Sequence, residues 1–188
     1  SRFGAAAQIR RNSRQSIFNS VFIGWPRGIE IAQVPTMAAA NTDSLAIRSS
    51  NWYGIKSTWL NLAGGTPPAG MDANWISKAA FNNSADKTSP NNAFLSNPWP
   101  NDASFNPAPL IVAPYLNTAS YSNGGPLYPI DDAFFTKVNY RGAFAADEER
   151  WDEGWANYDP VNSEYRAAIV VRLTKPGVGS GESYLQGT

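Results

Sequence analysis

Residues 6–31, AAQIRRNSRQSIFNSVFIGWPRGIEI, constrain the fold of this chain more than any other stretch. Ala7 and Ile9 alternate with Gln8 and Arg10, and Asn12-Ser13 forms a polar corner. Ile17, Asn19, Val21 and Ile23 then share one face of an extended run, with Phe18, Ser20 and Phe22 on the other, because successive side chains of a strand point to opposite sides. Gly24-Trp25-Pro26-Arg27-Gly28 breaks the run, and Ile29 and Ile31 resume it. Strands this short are not stable as isolated hairpins and need neighbours stacked above or below. The pattern also returns. Residues 16–24 (SIFNSVFIG) align with residues 46–54 (AIRSSNWYG), setting Ile17 on Ile47, Ser20 on Ser50, Phe22 on Trp52 and Gly24 on Gly54. A period of about thirty residues is that of stacked repeats with loop insertions.

The segment RRNSRQSIFNSVFIGWPRGIEI (10–31) is followed at a distance by FFTKVNYRGAFAADEERWDEGWANYDP (134–160). In that order the two resemble motifs in the C-terminal part of a family of secreted bacterial surface proteins, common in Bacteroidetes and often exported by type IX secretion. The resemblance spans roughly residues 5–160. It implies a mainly β fold: the C-terminal coils of a right-handed parallel β-helix (a solenoid), with short helices, long loops and an aromatic C-terminal cap. It also implies a secreted protein or one on the outer surface of a bacterium. It brings a fold and a location rather than a mechanism.

On that expectation residues 1–65 are terminal coils, 66–130 a helix and loop excursion packed on them, 131–166 the cap, and 167–188 a last strand with a linker or tail. Trp52, Ile55, Trp59 and Leu62 fall at helical spacing, so residues 51–65 read as a coil running into a short helix ended by Gly64-Gly65. Asp72 caps a predicted helix over 73–81, with Trp75, Ile76, Ala79 and Ala80 on its apolar stripe. The Asn-, Ser- and Pro-rich residues 82–106 read as an irregular excursion pinned by Phe94, Leu95, Trp99 and Phe105. Residues 110–112 and 137–140 read as strands, 126–129 as a turn, and 141–144 as a tight turn using Gly142. Trp151 and Trp155 sit on a short helix capped by Asp147 and act as a lid over the open end of the stack.

Composition narrows the chemistry. The chain has no Cys and no His, which removes thiol nucleophiles, Cys/His zinc sites and a Ser-His-Asp triad. Formal net charge is zero, so no global field calls for nucleic acid. Charge is nevertheless uneven: Arg and Lys dominate residues 1–60, whereas residues 131–164 hold nine carboxylates. No apolar run is long enough for a transmembrane segment, and there is no signal-peptide pattern. The opening SRFGAAA begins in mid-pattern, which reads as the C-terminal part of a longer protein. The expected partners are then the missing N-terminal coils of the same protein, or another copy, and a surface glycan.

Three sets of residues are candidates for a site. Asp131, Asp132, Asp147 and Asp152 are oxygen donors of the kind Ca²⁺ takes; the sequence requires no cofactor, and Ca²⁺ is the one it admits. Asp131 and Asp132 read better as caps of a helical turn. Trp25, Trp99, Trp151 and Trp155 are candidate sugar-stacking residues, although large aromatics more often serve as core. Arg10, Arg11 and Arg14 match polysaccharide lyase bases by residue type alone, and they read better as outward-facing structural residues paired with neighbouring coils. No residue is singled out as catalytic. Two functions are open: a non-catalytic structural or adhesive surface protein, or a carbohydrate-active module that binds glycans or resembles a polysaccharide lyase.

Overall fold

The computed structural model describes residues 4–100, 104–122, 124 and 129–163. The strand and linker expected over 167–188 lie outside the described residues, as does most of the turn at 126–129.

The chain passes the same three places in succession. β1 (Ala5–Ile9), β2 (Ile17–Phe18) and β3 (Val21–Ile23) form the first pass. β4 (Arg27–Ala32), α1 (Val34–Asn41), β5 (Ile47–Arg48) and β6 (Asn51–Tyr53) form the second, and β7 (Leu60–Ala63) and β8 (Ser84–Asp86) the third. Pairing gives three parallel sheets, β1-β4-β7, β2-β5 and β3-β6-β8. Ile17 pairs with Ile47 and Phe22 with Trp52, so the repeat in the sequence is the register of two of these ladders.

The expected fold class needs correction. The described residues hold 12% helix and 23% strand, in short sheets that mix parallel and antiparallel pairing, and neither a solenoid nor a closed sheet is detected among them. The mainly β right-handed parallel β-helix is therefore not the class of this structure. The physical reason lies in the corners and in the path of the chain beyond the third pass. Asn19 (φ 45°), Ser49 (φ 52°) and Asn82 (φ 53°) each adopt a left-handed backbone, which Asn tolerates better than most residues. They stack, the Asn19 amide donating to Arg48 O at 3.3 Å and that of Ser49 to Phe81 O at 2.8 Å. The run expected over 17–23 is thus cut into strands of two and three residues. After residue 86 the chain leaves the parallel register: a 3₁₀ turn (Pro90–Ala93) is followed by β9 (Leu95–Asn97) and β10 (Asn106–Pro109), which pair antiparallel, and the other described residues are turns, bends and irregular chain.

Local expectations change for related reasons. Residues 51–65 form β6 and β7 rather than a strand and a helix, because Gly54 (φ 67°) ends one strand and pairing with β4 recruits the other. The helix expected over 73–81 is two 3₁₀ turns, Trp75–Ser77 and Ala79–Phe81, separated by extended Lys78. Asp72 still accepts a bond from the Asn74 amide at 2.9 Å, as a cap would. Residues 110–112 and 137–140 form no strand, being turn, bend and irregular chain, and residues 151–155 are turns. The helix α1 was not expected from the sequence; Pro35 in its first turn and Ala38-Ala39-Ala40 are the signals for it.

Ile29, Ile31, Met37, Leu45, Ile47, Trp52, Ile55, Leu60, Trp75 and Ile76 form one buried cluster between the sheets and α1. Trp52 lies stacked on its ladder partner Phe22, ring centroids 5.1 Å apart, and edge-on to Trp59 at 5.6 Å. Between inward-facing Ile29 and Ile31, Glu30 points to the opposite face of its sheet. There it accepts hydrogen bonds from the side chains of Gln8 and Asn61, its partners on either side.

Candidate ligand-binding surface

The seven tryptophans divide by location. Trp52 and Trp75 are core, and Trp25 and Trp59 are half-buried. Trp99 is exposed, its ring against Gly24 and its Nε1 donating to Asn91 Oδ1 at 3.3 Å. Trp151 and Trp155 are 60% and 69% exposed, and their ring centroids lie 5.5 Å apart. Phe144 extends the surface, stacked on Trp151 at 5.5 Å and 12°. The indoles of Trp151 and Trp155 are held from behind: Trp151 Nε1 donates to Ala143 O at 2.8 Å, and Trp155 Nε1 to Trp151 O at 2.9 Å. Of the four candidate tryptophans the fold brings Trp151 and Trp155 together. Among the described residues no ring contact joins Trp25 or Trp99 to them. The expectation of a lid also changes, since these indoles face solvent rather than covering the core.

The segment beneath the aromatic surface is fixed by charge. Asp152 is buried and takes a two-point contact from Arg150, Nε to Oδ1 at 2.9 Å and Nη2 to Oδ2 at 3.1 Å, with the Tyr158 hydroxyl also on Oδ2. The Arg150 bonds hold the Asp152 carboxyl below the usual carboxylate range, against the opposing effect of burial. In return the bond to Asp152 raises Tyr158. The Asp152 oxygens are thus occupied by protein donors. Asp132 Oδ1 caps the Phe134 amide at 2.7 Å, and Asp131 and Asp147 are exposed. Among the described residues no group of three acidic side chains is arranged to hold a metal ion.

Arg10, Arg11 and Arg14 lie in the exposed corner between β1 and β2. Its backbone is tied to the second pass: the Arg11 amide donates to Gln33 Oε1 at 2.8 Å and the Asn12 amide to Thr36 Oγ1 at 2.9 Å. The arginine in ion contact with Glu30 is Arg27, at 3.1 Å.

The two motifs singled out in the sequence meet in space. The Gly142 amide donates to Asn19 O at 2.8 Å, and the Asn19 side chain both accepts from and donates to the Ser120 backbone at 3.0 Å. Arg141 reaches from this contact into the stacked corners. Its Nη1 donates to Asn51 Oδ1 at 2.9 Å and Asn82 O at 3.1 Å, and its Nε to Thr118 O at 3.0 Å. The position of Arg141 beside Gly142 in the second motif is the only signal for it in the sequence.

Several concavities among the described residues adjoin these elements. A largely apolar groove of about 820 Å³ lies against the first pass, between Ala7, Ile17 and Phe22 on one side and Tyr121, Ile130 and Phe135 on the other. A pocket of about 170 Å³ lies between β3 and Phe144, and one of about 120 Å³ lies under Trp151 beside Tyr140 and Glu148. No helix among the described residues is long and apolar enough to cross a membrane. No family model, curated protein or solved structure matches the chain.

Proposed function

We propose that this chain is a non-catalytic adhesive module of a secreted or outer-surface bacterial protein, and that it binds glycan through Phe144, Trp151 and Trp155. The observation that carries this reading is two adjacent indoles left open to solvent with their N–H groups already satisfied. Large aromatic rings normally leave water on folding because they bury so much apolar area. Rings that stay out, edge-anchored and stacked side by side, present a flat apolar face. The C–H face of a pyranose ring is flat and apolar in the same way, while its hydroxyls remain solvated at the rim. The surface location rests on the resemblance of the two motifs, and of the expected partners the surface glycan is the one this site supports.

Glycan-array binding followed by titration of the best ligand tests the reading. Trp151→Ala and Trp155→Ala should each weaken binding by about tenfold or more, the loss of one well-packed aromatic contact. Their melting temperatures should stay near that of the parent, because neither ring is part of the core. No binding across neutral and acidic polysaccharides would overturn the proposal, as would binding indifferent to both substitutions.

A further inference from the structure

β1 is the outer strand of the sheet β1-β4-β7. The Arg27 amide donates to Gly4 O at 3.1 Å. Strand alternation therefore turns the backbone groups of Gly4, Ala6 and Gln8 toward β4 and those of Ala5, Ala7 and Ile9 away from it. Among the described residues no strand pairs with that outer side. The Asn19 corner differs, its carbonyl being taken by the Gly142 amide. Two rows of the core also end at β1. Ala7, Ile29 and Leu60 are register partners, as are Ile9, Ile31 and Leu62. Ile29 is fully buried in the middle of its row, whereas Ala7, at the end of it, is half-buried and lines the groove of about 820 Å³ with Ile17 and Phe22. An open backbone edge and an apolar groove thus lie side by side.

We propose that this edge and groove take an extended segment of a partner protein, which adds a strand outside β1. The backbone edge decides the class of occupant. A lipid or small apolar molecule fills a groove but leaves the outward N–H and C=O groups of Ala5, Ala7 and Ile9 to water, whereas a strand pairs with them. The register sets the pattern of that strand. Apolar side chains beside Ala7 and Ile9 continue the two core rows into the groove, and the residue between them lies beside Gln8. On its inner side Gln8 donates to Glu30. That bond does most to keep Glu30 charged, and Asn61, Arg27 and Arg10 add to it. Arg10 is exposed, so a carboxylate is favoured on the outer side of Gln8 as well. The partner segment is then apolar–acidic–apolar, the pattern of Ile29-Glu30-Ile31 itself. None of Phe144, Trp151 and Trp155 lines this groove, so the two sites stand or fall separately.

The probe is a peptide copying residues 26–33 (PRGIEIAQ), blocked at both ends and titrated into the whole chain by calorimetry. It should bind, and Lys in place of its Glu should weaken binding about five- to tenfold, an ion pair exchanged for a repulsion. Arg10→Glu should reverse that preference. N-methylation of alternate peptide amides should abolish binding in one set and spare it in the other, because only one set faces β1. Ala7→Pro removes an outward N–H that the sheet does not use, and should lose the peptide with melting temperature near that of the parent. If that variant melts low, the methylated peptides carry the test alone. No binding, or binding indifferent to methylation of both sets, overturns the inference, as does a Glu preference that Arg10→Glu leaves unchanged. A dimer in sedimentation equilibrium that Ala7→Pro dissolves overturns it too, since the edge is then filled by a second copy.

Discussion

Gly54 and Gly154 show how much one residue can matter and when it does not. Both adopt positive φ, 67° and 84°. At Gly54 a Cβ would run into the backbone of Pro90, whereas at Gly154 nothing lies within 4 Å. Gly54→Ala should therefore cost both backbone strain and displacement of the Pro90 segment, at least about 2 kcal/mol. Gly154→Ala should cost only the strain, about 1 kcal/mol. Denaturant unfolding of both variants measures the difference. The alignment of Gly24 with Gly54 is visible in the sequence because a positive-φ stop recurs in the first two passes. The neighbour that makes Gly54 irreplaceable is Pro90, far along the chain and beyond any local pattern.

At the scale of elements, β1, β4 and β7 are joined by more than backbone bonds. Gln8, Glu30 and Asn61 face one another across the sheet. The hydrogen bond from Gln8 lowers the Glu30 pKa most; burial opposes it, and Asn61, Arg27 and Arg10 add to the lowering. The unfolded chain takes up this proton near the ordinary value of 4.5, the folded chain only at lower pH. Between those points the unfolded state holds more protons. The stability Glu30 provides is thus complete above the ordinary value and is lost as pH falls through the folded one. Melting temperature should drop on acidification from about pH 5 to about pH 3. Glu30→Gln should melt lower than the parent at neutral pH and lose less on acidification; parallel curves would contradict this account. Alternation placed Glu30 opposite Ile29 and Ile31. Its partners needed the register of three separate strands.

For the whole molecule, the Asn19 corner joins the stacked strands to the C-terminal segment. Asn19→Ala would remove two side-chain bonds to Ser120 and force Ala into a left-handed backbone. The expected cost is about 2–4 kcal/mol. Hydrogen exchange should quicken at Ser120 and Gly142 more than in the β4 core, because those amides are held by Asn19. Trp52→Ala should act differently, losing about 3–5 kcal/mol and loosening the whole core. Trp52 lies under Phe22 and against Trp59, so its removal opens a cavity shared by all three passes. Denaturant unfolding separates the two cases if exchange is followed residue by residue.

The amino-acid sequence by itself determined the short extended runs, their thirty-residue register and the absence of Cys and His chemistry. These are local properties, carried by alternation, by turn residues and by residue type. Tertiary structure decided the fold class, since the left-handed corners and the departure from parallel pairing after residue 86 depend on which segments meet. It also decided which tryptophans are core and which are surface. Trp75 and Trp151 look alike in sequence, but one is sealed against Phe81 and the other stands open beside Trp155. The contacts of Arg141 were illegible for the same reason. Whether a buried charge has a partner depends on every element packed around it, and the acceptors of Arg141 come from residues 51, 82 and 118.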